Sequence, residues 1–555
     1  MNERAVIAAV AGRTGSPATA AIEWDAGPER IVIGKDVLEL LSTSMYVDPM
    51  TVYREYIQNA ADAIDEARAA NVMPRSQSGR VDIKLDAVSR VIKIRDNGKG
   101  LSWDAFLSRM CNLGASAKRG TSSRGFRGVG RLAGLGYCQE LFFRSRSSGE
   151  DRVAELRWDC RQLKSILRGI DLEGDLANLV REVVRVRRIS SNGFPARFFE
   201  VELRGVARHR NDRMLNPKEV EGYLSQTAPV PFAPSFRFGE DISAALRPYV
   251  SLCELGIHIN DAEKPIYRPH RNRIEIEEGE YDRYVDLQVH EIPALEGGLA
   301  AIAWVLHHGY SGAIPTSALV KGMRSRSGNM QIGGNNLLED LFPEPRFNGW
   351  SVGEVHIIDK RLVPNGRRDN FDQNVHLDNV LNHLAPLARD IARRCRQSSI
   401  ARKWVREFEL NKFAALDHAE AIGRGGLSRL ARQSHSQSAA KCLSAMRRVV
   451  SNRHLPEETR TELHSQTEAT ATRVSHLLKL EPSTAGPLQR FRPQVRAAYE
   501  HVIGLIYDCA SNRAAAKALV TKILANLETT APQAKAKKAR TRSLRKQRPK
   551  GRNRR

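Results

Sequence analysis

Three polar residues share one face of a predicted helix. Glu55, Asn59 and Asp62 occur in the segment YREYIQNAADAIDEAR. At about 100° per residue they fall within an arc of roughly 60°, so their side chains point the same way. A glutamate and a carboxamide among small residues suit a polar site set into a helix. The alternative is a solvated face on which the carboxylates are ordinary surface charges.

A second group follows a predicted strand. Asp96 ends the segment VIKIRD, and Gly98 and Gly100 come directly after it. Glycines allow a ligand to approach the backbone closely. An ionised carboxylate only accepts hydrogen bonds, so it would pair with an exocyclic amine such as that of adenine. The alternative is a simple turn at the exit of a hairpin.

A third group lies in a stretch rich in glycine, serine and arginine at 112–136. Closely spaced glycines before a helix present backbone N–H groups to a phosphate chain, and the basic side chains nearby can neutralise its charge. The stretch has no GKS or GKT of a P-loop and no acidic partner of a dinucleotide fold. The candidate residues are Asn112, Lys118, Gly125, Gly128, Val129 and Gly130.

The elements that must position these residues follow from the hydrophobic pattern. Helical periodicity runs from Val37 to Ala70, and the period-two segments VDIKLD and VIKIRD predict a hairpin. The segments QELFFRSR, RVAELRW and RFFEVELRGV predict further strands, which close a first domain near Val206. The run AAIAWVLHH is interpreted as a helix, and the chain beyond His383 is almost entirely helical in pattern.

Composition restricts the class of protein. The chain has 555 residues with 41% hydrophobic and 27% charged content, which is typical of a globular protein. No apolar run is long enough to cross a bilayer, and the seven cysteines include no CxxC pair, which argues against a zinc or disulfide framework. We therefore expect a protein of the reducing cytoplasm without a membrane partner. Half of the net charge of +24 lies in residues 534–555, which are expected to be disordered.

The three groups together resemble the ATP site of the GHKL superfamily, which contains DNA gyrase, the heat shock protein 90 chaperones, histidine kinases and MutL. The segments YREYIQNAADAIDEAR, IRDNGKGLS and GFRGVGRLAGLGYC resemble its three sequence boxes in order and spacing. The resemblance covers about residues 35–206. It implies an α+β protein whose N-terminal ATPase domain is a Bergerat-type α/β sandwich.

The resemblance also implies a role for each residue. Glu55 would be the general base for the attacking water, and Asn59 would bind Mg²⁺ through its carboxamide oxygen. Asp96 would accept the adenine amine with support from Asp62, while Gly98 and Gly100 line the base pocket. The loop 112–130 would be an ATP lid whose Lys118 and N–H groups contact the phosphates. A threonine that the family often places in the strand ARFFEVELRGV, behind the adenine-reading aspartate, has no clean match here.

A looser resemblance extends to the second part of the chain. RLVPNGRRDNFDQ is similar to a turn in the middle domain of the heat shock protein 90 family, and alignment on Asn365 makes Arg368 the arginine that reaches the γ-phosphate. The alternative is a solvated surface turn. Other candidates for the same role, in the segment VKGMRSRSGN, are Lys321, Arg324 and Arg326.

These observations predict five regions: a flexible segment (1–30), the ATP-binding domain (31–206), a middle transducer-like domain (207–385), a helical region (386–530) and a basic tail (531–555). The leading functional hypothesis is a Mg²⁺-dependent ATPase whose lid and domain closure drive a chaperone-like remodeller of client proteins. It would act as a homodimer, formed either through the helical region or on ATP binding. One alternative is a DNA-handling ATPase similar to MORC or MutL proteins, with the tail on the nucleic acid backbone. Another is a defence or signalling ATPase that works as a conformational switch.

Overall fold

The computed structural model describes residues 48–74, 76–111, 130–168, 176–209, 211–424, 427, 429–479, 488 and 490–529. The segment 1–30, the glycine-rich residues 112–129 and the basic tail 531–555 lie outside these ranges. The described residues divide into two compact units. The first ends at Pro386, and the second begins at Leu387 and also includes Gly309–Ala313.

A seven-stranded sheet organises the first part of the first unit. Its strands are β1 (Gly79–Asp86), β2 (Val91–Asp96), β3 (Glu140–Arg146), β4 (Arg152–Asp159), β5 (Val184–Ser190), β6 (Phe198–Arg204) and β7 (Leu255–Ile259). They lie in the order β5-β4-β3-β6-β2-β1-β7. The helices of this part are α1 (Thr51–Ala69), α2 (Trp103–Cys111), α3 (Cys160–Arg168), α4 (Leu176–Val183), α5 (Pro217–Thr227) and α6 (Gly239–Leu246).

The predicted hairpin is confirmed by β1 and β2. The two strands are antiparallel, with Val81 opposite Asp96 and Asp86 opposite Val91. On β1 the apolar residues Val81 and Ile83 are buried, as the period of two requires. The register leaves Asp96 at the last position of β2, where the chain turns toward α1.

Helix α1 packs its apolar residues into the core that the sheet shares with the segment Gly130–Gly136. Tyr53, Ile57 and Ile64 are completely buried in this cluster. Burying a side chain of this size stabilises a fold by roughly 1.5–3 kcal/mol. The packing fixes the rotation of the helix about its axis, and with it the direction of the polar face.

The first sheet takes in a strand from beyond residue 206, where we expected the first domain to close. Strand β7 pairs in parallel with β1, with Gly79 opposite Leu255 and Ile83 opposite Ile259. Leu255 and Ile257 are buried in the same core as α1. The helices α5 and α6 lie in the segment that leads from β6 to β7. The pairing is non-local, which is why strand patterning near residue 206 did not reveal it.

A five-stranded sheet forms the rest of the first unit. It is built from β10 (Asp286–Pro293), β11 (Leu299–His307), β12 (Gly322–Ser327), β13 (Met330–Ile332) and β14 (Val352–Ile357), after a separate hairpin of β8 (Arg273–Glu277) and β9 (Glu280–Arg283). The order is β10-β11-β14-β12-β13. The strand predicted in SVGEVHIID is confirmed as β14.

The run AAIAWVLHH is a strand, so the interpretation as a helix was wrong. It forms most of β11, which lies between β10 and β14 and is buried on both faces from Ala300 to His307. A strand covered on both faces has a continuous apolar sequence instead of an alternating one. Such a run cannot be separated from a buried helix by periodicity alone.

The second unit is helical, as the sequence predicts. Its helices are α7 (Val375–Gly423, which begins in the first unit), α8 (Arg429–Val450), α9 (Glu457–Lys479), α10 (Pro493–Cys509) and α11 (Arg513–Thr529). Phe408, Met446 and Leu463 form one of its buried clusters. Among the described residues, no helix has the length and apolar content needed to cross a membrane. Two sheets and a helical region together confirm the α+β class.

Candidate functional site

The carboxylate of Glu55 lies on α1 and is almost completely buried, with 4% of the residue exposed. Two guanidinium groups compensate its charge. The Arg368 Nε atom lies 3.2 Å from Glu55 Oε1, and an Arg54 terminal nitrogen lies 3.6 Å from the same oxygen. A buried carboxylate is costly unless it is paired, so these contacts allow it to stay ionised away from water. Glu55 is therefore a polar centre and not part of a solvated helix face.

A tight turn carries Arg368 to this position. The Asn365 amide donates to Asp369 Oδ1 at 2.6 Å, and the Asp369 N–H donates back to Asn365 Oδ1 at 3.3 Å. Arg368 itself has a φ of +56°, in the left-handed region. The reciprocal hydrogen bonds close the turn, from which the Arg368 side chain reaches Glu55 on α1.

Arg54 attaches this turn to α1 through the backbone. Its two terminal nitrogens donate to the carbonyls of Arg367 at 2.9 Å and of Arg368 at 3.5 Å. Sequence reasoning did not single out Arg54. The only available signal was its position directly before Glu55, and an arginine there is equally consistent with a surface charge.

The other two residues predicted on the polar face of α1 stand beside Glu55 in the helix. Asp62 is buried with 2% exposure, and Asn59 is half-buried. Gln58 is also buried, and its carboxamide oxygen has no hydrogen-bond partner within the described part of the chain. The helix therefore carries buried oxygen atoms where the resemblance to GHKL ATPases predicts a bound nucleotide.

Asp96 is buried at the end of β2. Its Oδ1 accepts the N–H of Gly98 at 2.8 Å, and the Lys99 N–H donates to the Ala63 carbonyl of α1 at 3.1 Å. Burial raises the pKa of Asp96 to about 7, against the opposing effects of the Gly98 hydrogen bond and the positive charge of Arg197. This carboxyl group titrates near neutrality.

The two glycines beside Asp96 lie where neighbouring parts of the chain pack too closely for a side chain. A Cβ at Gly98 would lie 2.8 Å from the Ala63 Cβ and 2.8 Å from Asp96 Oδ1. Gly100 has a φ of +66°, and a Cβ there would overlap the carbonyl of Arg146. The turn thus packs directly on α1 and β3, and its backbone borders the Asp96 carboxylate.

The end of the glycine-rich stretch meets the same helix. A Cβ at Gly130 would overlap the Glu55 carboxylate in its present position. The Tyr56 hydroxyl donates to the Arg131 carbonyl at 3.2 Å and accepts the Gly134 N–H at 3.0 Å. Gly130 is therefore brought to Glu55. The other candidates from this stretch fall outside the described residues, namely Asn112, Lys118, Gly125, Gly128 and Val129.

The donor set is compatible with Mg²⁺ held partly by a nucleotide. Within the described ranges there is no group of three or more His, Cys, Asp or Glu residues that could hold a metal. Mg²⁺ is commonly bound by one or two protein oxygens together with substrate phosphates and waters. The Asn59 carboxamide oxygen is a donor of that kind.

The alternative arginines on β12 do not contact Glu55. Arg326 is 1% exposed, and its Nε binds the Glu354 carboxylate at 2.6 Å inside the second sheet. Arg324 donates to the amide oxygens of Gln226 and Gln331. Of the four candidates for a phosphate-contacting cation, Arg368 is the one that the structure places against Glu55.

Comparisons with known proteins agree with these features. Residues 47–172 match the family described as histidine kinase-, DNA gyrase B-, and HSP90-like ATPase. The chaperone protein HtpG of Frankia casuarinae is 36% identical over 93 residues, or 16% of this chain and 14% of the relative. HtpG of Rickettsia rickettsii is 29% identical over 141 residues (22% of each chain), and the endoplasmin homolog of Hordeum vulgare is 32% identical over 94 residues (16% and 11%).

The predicted resemblance to GHKL ATPases, and among them to the heat shock protein 90 family, is thereby confirmed. The alignments span less than a quarter of each of these relatives.

Asp96 gives a pH-dependent prediction. A carboxyl whose pKa is raised on folding binds its proton more tightly in the folded than in the unfolded protein, so it costs stability as the pH rises from about 4 to about 7. Asp96→Asn removes this cost. We expect the difference in the free energy of unfolding, variant minus wild type, to become more positive between pH 5 and pH 8. Below the folded pKa of Asp96 the slope should be on the order of 1 kcal/mol per pH unit.

Urea denaturation without nucleotide at pH 5, 6, 7 and 8 measures this difference. Asp82→Asn on the neighbouring strand, where the side chain is part-exposed and paired with Arg80, is the control for the loss of an exposed carboxylate. A stability difference that does not change with pH would contradict the raised pKa of Asp96.

Proposed function

We propose that the N-terminal domain, which matches the GHKL ATPase family over residues 47–172, binds ATP and hydrolyses it with Mg²⁺. The observation that carries this proposal is the buried Glu55 carboxylate with Arg54 and Arg368 against it. Hydrolysis needs a base for water and positive charge for the phosphoryl oxygens. Glu55 would be the base, and Arg54 and Arg368 would supply the positive charge.

In this proposal Glu55 orients the attacking water and takes its proton. Its ion pair with Arg368 compensates the burial of the carboxylate. The guanidinium group is planar and permanently charged, which suits it to the oxygens of a phosphoryl group undergoing transfer. Arg368 would then contact the γ-phosphate from a segment that follows the second sheet.

Asn59 would hold Mg²⁺ through its carboxamide oxygen, and the ion would supply charge stabilisation at the phosphates. Asp96 would accept the adenine amine in its ionised form. Gly98 and Gly100 would line the base pocket beside Asp96, in a turn that packs without side chains on α1 and β3. These roles support ATP over GTP, since guanine presents a carbonyl where adenine has its amine.

We further propose that hydrolysis drives a cycle of lid and domain closure in a chaperone-like protein remodeller of the cytoplasm. The support is that Arg368 reaches α1 from more than 300 residues away in sequence, so catalysis would require the two sheets to be docked. Two of the relatives described above are chaperone proteins by name. A client protein and a second copy of the chain are the partners that this proposal requires.

Substitution of the proposed base gives the first test. Glu55→Ala should retain ATP binding and lower steady-state hydrolysis by at least about 100-fold, because general-base catalysis is removed. Phosphate release measures turnover, and calorimetry measures ATP affinity. Glu66→Ala on the same helix, where the part-exposed carboxylate binds Arg109, is the control and should hydrolyse ATP normally. Undiminished ATP turnover of Glu55→Ala would contradict the proposal that Glu55 is the general base.

Arg368→Ala tests the contact between the second part of the chain and the phosphates. We expect a fall in turnover on the order of 1,000-fold with little change in ATP affinity, as for an arginine that acts on the transition state. Lys360→Ala replaces an exposed cation of the same segment and should leave turnover unchanged. Wild-type rates for Arg368→Ala would mean that the turn is only a structural contact.

The class of client is tested by stimulation of the ATPase. We expect an unfolded protein to raise turnover equally in the full chain and in a chain ending at Gln533, which lacks the basic residues 534–555. Duplex DNA should leave both rates unchanged at physiological salt. DNA stimulation that is lost with the tail and weakens with added salt would favour the DNA-handling alternative.

A further inference from the structure

A cavity of about 450 Å³ lies beside the candidate site. Its walls come from the start of α1, the end of α5, the strands β12 and β13 and the turn at 365–369. Five of the residues lining it are cationic and two are acidic, Asp48 and Asp369. The cations are Arg54, Lys321, Arg324, Arg367 and Arg368. The excess of positive charge suits the cavity to an anion.

Arg324 is the most informative residue of the wall. It is buried, with 5% exposure, and its hydrogen-bond partners among the described residues are neutral oxygens. The side-chain partners are the amide oxygens of Gln226 at 2.9 Å and Gln331 at 3.0 Å. Within the described residues, no carboxylate oxygen lies within 4.0 Å of it. Burial lowers the pKa of Arg324 to about 10, opposed by the more distant charge of Glu354.

The next arginine on the same strand shows the contrast. Arg326 is also buried, but Glu354 neutralises it at 2.6 Å and is itself shared with Arg268 at 2.5 Å. A buried cation normally has such a partner, because its desolvation is otherwise uncompensated. Arg326 is thus explained by the fold alone. Arg324, which borders the cavity, lacks the carboxylate that would explain it in the same way.

Arg54 supplies a second buried donor at the cavity. Its terminal nitrogens bind the backbone carbonyls of the 365–369 turn, while its Nε is buried and has no hydrogen-bond partner in the described part of the chain. An unmet buried donor costs free energy that a bound acceptor would recover. Both Arg54 and Arg368 also contact Glu55, so the cavity begins directly beside the proposed base.

We propose that this cavity receives the inorganic phosphate that hydrolysis releases at Glu55. The inference rests on the proposed ATPase function: water adds to the γ-phosphorus, the bond to the ADP oxygen breaks, and Glu55 takes the proton. Arg368 contacts the phosphoryl group during transfer, and Arg324 and Lys321 hold the released phosphate dianion further along the cavity. The basic segment that contains Lys321 and Arg324 therefore has a use distinct from that of Arg368.

The test is binding of inorganic phosphate to the full chain without nucleotide, by isothermal titration calorimetry. We expect saturable binding whose Kd rises at least about tenfold in Arg324→Gln, since a charge-assisted hydrogen bond is removed. Lys321→Gln, at a part-exposed position with little consequence for folding, should weaken binding severalfold. Arg271→Gln changes an exposed cation just before β8, outside the cavity, and should leave the Kd unchanged.

Absence of saturable phosphate binding in the wild-type chain would overturn the proposal, and so would an unchanged Kd in both Arg324→Gln and Lys321→Gln. Added phosphate should also slow ATP turnover in the wild type and do so much less in Lys321→Gln. The binding assay uses no ATP, so it separates the two proposals. Phosphate binding that depends on Arg324 in a chain without ATPase activity would retain the anion site and overturn the hydrolytic function instead.

Discussion

The ion pair between Glu55 and Arg368 is the contact on which the candidate site depends. It places a nearly buried carboxylate of the first helix against a guanidinium group from the turn that follows the second sheet in the chain. Removing one member of a buried pair leaves an uncompensated charge, at a cost of roughly 3–5 kcal/mol. The polar face of α1 is therefore stable in its buried form only while the turn at 365–369 is docked on it.

The contact between α1 and the turn at 365–369 does not depend only on the side chains of the turn. Arg54 binds the carbonyls of Arg367 and Arg368, so it recognises the path of the backbone and not the side chains. On the other side, Gly130 leaves only enough room for the Glu55 carboxylate. The proposed base is thus held by a helix neighbour, a distant turn and the end of the glycine-rich stretch. A shift in any of the three would move the Glu55 carboxylate.

Two arginines on β12 illustrate how the same residue type serves two purposes. Arg326 is neutralised inside the sheet by Glu354, and this network joins β12 to β14 and to Arg268. Arg324 faces the cavity with amide oxygens as its side-chain partners. The fold holds the first cation as part of its core and the second as a group available to an anion. The difference depends on a single glutamate in the neighbouring strand.

The sequence by itself determined the local features: the amphipathic helix of Glu55, the hairpin that ends at Asp96, the α+β class and the resemblance to GHKL ATPases. These depend on spacing within one element, and helix and strand periods report it directly. Only the tertiary structure decided that β7 completes the first sheet, that AAIAWVLHH is a strand, and that Arg54 and Arg368 meet at Glu55. Each of these depends on contacts between residues far apart in the chain, and on burial that a linear pattern does not record. Charge shows the same division, because the sequence counts cations but only the fold decides which of them a carboxylate neutralises.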